Sequence, residues 1–229
     1  MKPFSILLAL AVLGAPGHVE PSEHPAPGVV SLPSPRTEGK VSVEAALRMR
    51  RSTRSFAATP LTLEEVGQLC WSAQGVTDEK GHRTAPSAHA TYALQLYVVA
   101  GAVTALPSGL YHYQPSSHSL KMVAAGDRRV EIEKKGVGQP WIASAPAVFV
   151  ISGQASKLAG DGTPAARARG EHFMWVEAGL AAQGFFLEAV AQGLGSTYVG
   201  GFRPSELRAV LGLPSDEEPL AVLPVGRRP

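Results

Sequence analysis

Residues 50–54, Arg-Arg-Ser-Thr-Arg, bring three cations and two hydroxyl groups into one short stretch. Arginine offers planar pairs of N–H donors and serine adds a hydroxyl donor, which are the groups that a phosphate monoester needs. If the stretch is extended, alternate side chains share a face, so Arg50, Ser52 and Arg54 can converge on one anion. The alternative is a solvated basic helix end that complements the helix dipole, and the cluster taken alone favours that alternative.

Three further segments have the composition of a ligand site. The segment Pro86-Ser87-Ala88 precedes a β-rich run, and its small residues let a flat ligand lie against the backbone. The pair Gly200-Gly201 exposes backbone N–H groups with no Cβ in the way, and the pair Arg227-Arg228 ends an apolar run. The glycine pair lacks the G-x-G-x-x-G spacing of a dinucleotide fingerprint. Each segment alone is a weak signal.

Together these segments resemble a known family. The motifs RRSTRSF, SAQG, PSAHATYALQLYVV, GLGSTYVGGF and PVGRRP follow one another in the order found in nitroreductase-like FMN oxidoreductases. The closest resemblance is to the SagB or thiazole/oxazole-oxidase type, in which the third of these motifs is similar to PSAGALYPLEVYVV. The similarity runs from about Val41 to Arg228, which is nearly all of the predicted domain.

The resemblance implies FMN as the cofactor and assigns ten residues to it. These residues are Arg50, Arg51, Ser52, Arg54, Pro86, Ser87, Ala88, Gly200, Gly201 and Arg227. The first three would hold the phosphate and the ribityl chain, and Arg227, with Arg228 beside it, would close on the phosphate. Arg54 would place positive charge near the pyrimidine edge of the ring, the 86–88 segment would line the ring, and the glycine amides would face N5 and O4. No catalytic side chain is assigned, because the chemistry belongs to the flavin.

The same resemblance implies a homodimer with FMN at the subunit interface, so each site takes residues from both chains. The implied reaction passes two electrons from NAD(P)H to a small oxidant such as a nitro or quinone compound. Two alternatives stay open. One is a SagB-type oxidase of a peptide azoline heterocycle, and the other is a non-catalytic exported domain that binds flavin or a partner.

The chain departs from the family pattern beside the expected flavin face. His89 stands where the family often has Gly, Ala93 where it has Pro, and Gln95 where it has Glu. These positions bear on the choice of substrate and on cofactor retention.

The elements that must position these segments mix helices and strands. Caps and apolar spacing predict helices at 43–51, 63–73, 171–193 and 204–211. Runs of β-forming and apolar residues predict strands at 94–100, 110–113, 119–123, 146–151 and 220–225. The order favours an α+β fold over a doubly wound parallel sheet. The resemblance implies a nitroreductase-like fold with a mixed, mostly antiparallel sheet of about five strands, a long central helix and surrounding helices.

The 171–193 helix carries the strongest signal. Phe173, Val176, Leu180, Leu187 and Leu194 form one stripe, and small residues fill much of the remainder. Gly179 and Gly184 allow close neighbours, which predicts a helix surrounded on nearly all sides. The Gly-, Ala- and Arg-rich stretch before it, 160–170, is predicted to be a mobile loop.

The N-terminal part of the chain is predicted to lie outside the folded domain. Residues 1–15 contain Lys2 and the apolar run Phe4–Leu13, which is typical of a secretory signal peptide and too short for a membrane span. The alternatives are an over-extended start or an uncleaved tether. Residues 16–40 are rich in proline and predict a flexible linker, which leaves 41–229 as the domain. The protein is predicted to be exported, periplasmic or secreted, if the signal is real, and cytoplasmic otherwise.

The remaining composition argues against several other functions. A formal net charge of +2 is too small to predict nucleic acid or an anionic membrane as the main partner. The histidines show no HExxH or CxxC spacing, so no metal site is predicted. Cys70 is the only cysteine and lies on an apolar helix face, which predicts a core position. Glu177 and Glu188 do not form an acid–base pair by spacing.

Overall fold

The computed structural model of the chain describes residues 28–229. The helices of this part are α1 Val43–Met49, α2 Leu63–Gln74, α3 Arg129–Glu131, α4 Pro164–Ala191 and α5 Pro204–Leu211. Its strands are β1 Val29–Ser31, β2 Leu94–Ala100, β3 Gly109–Gln114, β4 Ser119–Ala125, β5 Ala147–Gly153, β6 Leu194–Ser196 and β7 Glu218–Arg227. The predicted signal peptide, 1–15, lies outside the described residues and stays a prediction.

The strands form a single sheet in the order β1-β4-β3-β2-β5-β7-β6. Every neighbouring pair in this sheet is antiparallel, and parallel contacts occur as isolated bridges such as Ser52 with Ser196. The predicted α+β fold is confirmed, and the five predicted strands correspond to β2, β3, β4, β5 and β7. The sheet is larger than predicted, with seven strands, because β1 and β6 have only three residues each and are defined by their partners.

The first strand lies inside the stretch predicted as a linker. Val29, Val30 and Ser31 pair with β4, and Leu32 next to them is buried. The ordered sheet therefore begins before the domain boundary that was placed at residue 41.

Helices cover both faces of the sheet. On one face, α2 and α4 enclose an apolar cluster that includes Leu69, Val98, Phe149 and Phe185. On the other face, α5 and the π-helical turn 132–137 enclose a second cluster. Cys70 is fully buried in the first cluster, as predicted, and burial raises the pKa of its thiol.

The long helix α4 begins earlier than predicted. Thr163 caps it by accepting a hydrogen bond from the Ala166 N–H, and Pro164 occupies the first turn. Residues 164–170 are therefore helical, although they were predicted to belong to a mobile loop. A threonine followed by a proline is a helix-start signal, which the glycine- and arginine-rich composition obscured.

The predicted apolar stripe of α4 is only partly buried. Small side chains pack α4 against the sheet and α2, and a Cβ at Gly184 would lie 2.6 Å from the carbonyl oxygen of Ser72. In contrast, Val176 and Leu180 are 48% and 45% exposed, and a Cβ at Gly179 would meet no heavy atom within 4 Å. One side of the helix is thus apolar and is not covered by any part of residues 28–229. None of the described helices has the length and apolar character needed to cross a membrane.

Candidate cofactor site

The predicted phosphate-binding segment follows the end of α1. Arg50 caps this helix with an extended ψ of 126°, so the chain leaves the helix as a strand-like segment. Ser52 forms a parallel bridge with Ser196, and the Thr53 N–H donates a hydrogen bond to the Ser196 carbonyl over 3.0 Å. Residue 195 must be glycine here, because a Cβ would lie 2.5 Å from the Thr53 hydroxyl oxygen. The main chain thus anchors the segment to β6.

The three arginines of this segment have different surroundings. The Arg51 guanidinium donates to the carbonyl oxygens of Arg48 and Arg50, over 2.9 and 2.7 Å, which caps the C-terminal end of its own helix. Arg54 lies 6.0 Å from the ring centroid of Trp141. Within residues 28–229, the guanidinium groups of Arg50 and Arg54 make no hydrogen bond or ion pair, which leaves their donors free for an anion.

Arg227 joins the same region from the C-terminal end of the chain. Its backbone pairs with Leu194, and its carbonyl accepts a hydrogen bond from the Ala57 N–H. Its guanidinium donates to Glu65 over 2.7 Å, and the other oxygen of Glu65 accepts the Thr62 N–H in the capping box of α2. Arg227 is therefore fixed by a helix start. We call residues 50–54, β6 and Arg227 the clamp end of the molecule.

The glycine pair lies beyond the clamp end along the same sheet edge. Val199 exchanges two backbone hydrogen bonds with Val222 of β7, which sets the position of the residues that follow. Gly200 and Gly201 are exposed. Neither N–H donates to another described residue, so both amides are available to a ligand.

The third predicted segment forms a strained loop before β2. Residues 88–90 make a single 3-10 turn, and the Ser87 hydroxyl accepts a hydrogen bond from the Tyr92 N–H over 2.9 Å. His89, Ala90 and Tyr92 have φ angles of +54°, +52° and +51°, a region that side chains other than glycine rarely adopt. The glycine that the resemblance led us to expect at position 89 would adopt this left-handed angle without steric cost.

Two side chains that the sequence did not single out as site residues support this loop. The buried Glu177 of α4 accepts a hydrogen bond from the Ala88 N–H over 2.7 Å. Arg83 lies against the Tyr92 ring, 4.6 Å from its centroid, and donates to Gln74 over 2.9 Å. Burial lowers the pKa of the Arg83 guanidinium, while the neighbouring Tyr92 raises it. The sequence signal for Glu177 was its place on the buried face of α4, one turn after Met174. We call residues 83–92 together with Glu177 the loop end.

The clamp end and the loop end lie at opposite ends of the sheet. Leu94, which follows the loop, pairs with Gly153, and Gly153 pairs with Glu218 at the start of β7. Arg227 is at the other end of this ten-residue strand, a distance of about 30 Å at the usual rise per residue. Helix α4 gives the same result. Glu177 contacts the loop end, Ala191 ends the helix three residues before β6 of the clamp end, and about 21 Å of helix separates these two residues. Within one chain, the structure does not bring all of the predicted cofactor residues together.

Another cleft lies among the described residues, close to the clamp end. A cleft of about 540 Å³ adjoins Glu65 and is lined by residues such as Ser34, Arg36 and Gln68. None of the ten predicted cofactor residues lines it. Across residues 28–229, no three histidine, cysteine or acidic side chains cluster as metal ligands would.

The chain is similar to proteins of one known family over most of its length. The model of the nitroreductase family matches residues 47–227. A nitroreductase homologue of Methanocaldococcus jannaschii is 36% identical over 192 residues, which cover 82% of this chain and 92% of the relative. The crystal structure of a nitroreductase homologue from Ralstonia eutropha has a TM-score of 0.76 and is 32% identical, covering 88% of this chain and 90% of that one.

A third similarity is to one chain of a bacterial synthetase complex. The Escherichia coli microcin synthetase complex McbBCD contains a chain that superposes with a TM-score of 0.67. The two chains are 20% identical, and the match covers 87% of this chain and 78% of that one. At that identity the likeness shows a shared fold. The family that the sequence motifs predicted is confirmed, whereas the roles of the ten residues stay predictions.

Proposed function

The chain belongs to the nitroreductase family, and we propose that it is an FMN-dependent oxidoreductase that works as a homodimer. One observation carries the cofactor part of this proposal. The segment that begins at Ser52 is fixed beside β6, next to the strand end that holds Arg227. Two cationic side chains and a hydroxyl, drawn from distant parts of the sequence, thereby flank the same sheet edge.

The donor set of the clamp end fits a phosphate monoester. Arg50 and Ser52 would bind the phosphate, with Arg227 closing on it from β7. Arg51 would have a smaller role, because its guanidinium already donates to the carbonyls of its own helix. Fixed, charged donors of this kind are those that hold phosphate groups most strongly in proteins.

The glycine amides and Arg54 fit the ring of the cofactor. The free N–H groups of Gly200 and Gly201 would donate to N5 and O4 of the ring. Arg54 would add positive charge near the pyrimidine edge, with Trp141 beside it. These groups favour the ring in its reduced form, because positive charge and N–H donors stabilise the negative charge that reduction brings.

The loop end would reach the ring from a second copy of the chain. Pro86, Ser87 and Ala88 are too far from the clamp end of their own chain to line the same ring. The uncovered face of α4 gives that second copy a place to bind, because Trp175, Val176 and Leu180 are 44%, 48% and 45% exposed and Gly179 between them is open. An exposed apolar stripe with a flat position at its centre is typical of a symmetric helix interface.

The residues of the chain would bind and orient, while FMN when bound supplies the two-electron chemistry. The clamp end would hold one end of the cofactor, and the 86–88 segment of the partner would shape the opposite face. NAD(P)H would donate a hydride and its two electrons would pass to a small oxidant, such as a nitro or quinone compound. No side chain of the described residues is needed as a general acid in this scheme.

The test is a visible spectrum and a flavin count on the purified full chain after reconstitution with FMN. We expect about one FMN per chain and the absorption bands of a bound flavin. Anaerobic mixing with NADH or NADPH should then bleach those bands. A protein that retains no flavin would refute the proposal and favour an interaction domain, and a bound flavin that neither donor reduces would favour a non-catalytic flavin protein.

A second candidate is the oxidation of a peptide azoline, with oxygen as the final acceptor. The fold shared with a chain of the microcin synthetase complex favours it. Anaerobic mixing with an azoline-containing peptide separates the two functions. Bleaching by the peptide and not by NAD(P)H would support the second candidate over the first.

A further inference from the structure

Glu177 is a buried acid that the proposed reaction does not use. It lies on α4 and is 4% exposed, so its carboxyl group is removed from water. Among residues 28–229, no lysine, arginine or histidine forms an ion pair with it. Its hydrogen bond comes from a backbone amide, the Ala88 N–H, over 2.7 Å. Burying an acid is unfavourable unless it is hydrogen-bonded, so this contact is the reason such a residue is tolerated there.

The backbone N–H that donates its hydrogen bond to Glu177 belongs to Ala88, in the strained loop. Ala88 is directly followed by His89 and Ala90, which both have positive φ, and Tyr92 two residues on is also left-handed. Non-glycine residues persist in this region only where their surroundings fix them. The Ser87 hydroxyl bonds the Tyr92 N–H, but both of these residues belong to the loop. The bond to Glu177 ties the loop to the long helix.

We propose that Glu177 is a positioning residue, whose carboxylate holds the 86–92 loop in the shape that receives the flavin ring of the partner chain. The inference rests on the proposed function, because it takes Ala88 to line that ring. Glu177 would not touch the cofactor or the substrate. It would act through its hydrogen bond with the Ala88 N–H, which holds Ala88 against α4 and thereby fixes the left-handed residues that follow it.

The experiment compares two variants of nearly equal side-chain volume. Glu177→Gln keeps an oxygen that can accept the Ala88 N–H, whereas Glu177→Met fills the same space and cannot accept it. Glu171→Ala, an exposed acid on the same helix, is the control. Circular dichroism and melting curves establish that each variant is folded before any comparison.

The first readout is amide hydrogen exchange at residues 86–92 in protein without FMN. We expect exchange at Ala88 to rise by about tenfold in Glu177→Met, because the hydrogen bond from the Ala88 N–H is lost. Glu177→Gln should stay close to the parent chain. Equal exchange in the two variants, or no increase in Glu177→Met, would overturn the inference whether or not the protein binds FMN.

The second readout is the affinity and spectrum of bound FMN. Glu177→Met should weaken FMN binding by about tenfold and shift the absorption of the bound flavin, and Glu177→Gln should restore both. A role in overall stability alone would lower the melting temperature of Glu177→Met and leave the affinity and absorption of its bound FMN unchanged. If the parent chain binds no FMN, the proposed function fails, and the exchange data still decide whether Glu177 anchors the loop.

Discussion

The clamp end and the loop end are built in different ways. At the clamp end, backbone hydrogen bonds fix each element: Thr53 to Ser196, Ala57 to Arg227, and the pairing of β6 with β7. At the loop end, backbone bonds such as that from the Thr84 N–H to the Gly75 carbonyl hold the start of the segment. The strained part is held by side chains, namely Glu177 to the Ala88 amide and Arg83 against the Tyr92 ring. The clamp end has relaxed backbone angles, whereas the loop end holds three non-glycine residues at positive φ.

This difference has an energetic consequence. A non-glycine residue in a sparsely populated backbone region costs of order 1–3 kcal/mol. A hydrogen bond to a charged group contributes about 1.5–3 kcal/mol, and a cation–π contact contributes about 0.5–2 kcal/mol. Because the loop holds three such residues, their combined strain is at least as large as the contribution of these two contacts. Small changes at the loop end should alter its shape without unfolding the chain, whereas at the clamp end the sensitive positions should be the ligand-binding side chains and Gly195, where a Cβ would meet Thr53.

The largest expected effect on FMN content comes from preventing dimer formation, which would separate the clamp end of one chain from the loop end of its partner. Val176→Asp places a charge on the uncovered face of α4, which is where the second copy would bind. We expect the protein to become monomeric and its FMN content to fall to less than about a tenth, since a charge buried without a partner is strongly unfavourable. Sedimentation and flavin absorbance measure the two outcomes.

Val130→Asp is the matched control for this change, because Val130 is 50% exposed and lies on α3, away from the α4 face. It should leave both the dimer and the flavin content unchanged. A Val176→Asp protein that remains dimeric would show that the α4 face is not the interface that brings the loop end of one chain to the clamp end of the other.

Within the clamp end, adjacent arginines should behave differently. Arg50→Ala removes a free guanidinium and is expected to weaken FMN binding by roughly 100-fold, which is the loss of a charge-assisted contact to phosphate. Arg51→Ala removes a group that bonds the carbonyls of its own helix, so its effect on FMN should be below about threefold. Titration of apoprotein with FMN by fluorescence quenching gives both values. Equal losses would show that Arg51 also binds the phosphate.

The sequence was a good guide to elements with strong local signals. Helix α5 has the predicted bounds, 204–211, because a proline starts it and Gly212 ends it in the left-handed region. Strand β2 has the predicted bounds, 94–100. The strands β1 and β6 were missed because three residues carry too little periodicity to be recognised. Their existence depends on partners far along the chain.

The sequence named the residues of the candidate site but could not give their geometry. The sequence named Arg51 beside Arg50, yet only the fold shows that the Arg51 side chain turns back to its own helix. Glu177 was set aside because nothing near it in sequence pairs with it, and its partner, Ala88, is 89 positions away. The uncovered face of α4 also explains a partly wrong prediction. The apolar pattern that predicted a surrounded helix is present, but residues 28–229 of a single chain leave one side of it exposed.

Acid should weaken the loop end. Burial lowers the pKa of His112, and the nearby Lys121 lowers it further. Burial also lowers the pKa of His118, although the hydrogen bond to the Pro33 carbonyl partly opposes this shift. Both histidines lie in or next to β3, towards the end of the sheet that carries the loop. A depressed pKa means that the folded state holds the neutral form, so the stability it contributes is present above about pH 6.5 and is lost as the pH falls below it.

Melting curves between about pH 8 and about pH 5 check this. The melting temperature should fall on acidification, and in His112→Leu, which cannot be protonated, the fall should be smaller. Hydrogen exchange in the same series should show the increase first in residues 83–92. If the melting temperature of His112→Leu falls with pH as steeply as that of the parent chain, His112 is not a source of the acid sensitivity.

The smallest expected effect measures the strain itself. His89→Gly replaces a left-handed histidine, at φ +54°, by the residue that adopts this angle without steric cost. We expect a gain of about 1 kcal/mol in the free energy of unfolding, read from denaturant titration. Thr91→Gly is the control in the same loop, because Thr91 has an ordinary φ of −73°, and glycine there should destabilise by about 0.5–1 kcal/mol. If both changes destabilise equally, residue 89 carries no strain, and the backbone of the loop end is as relaxed as that of the clamp end.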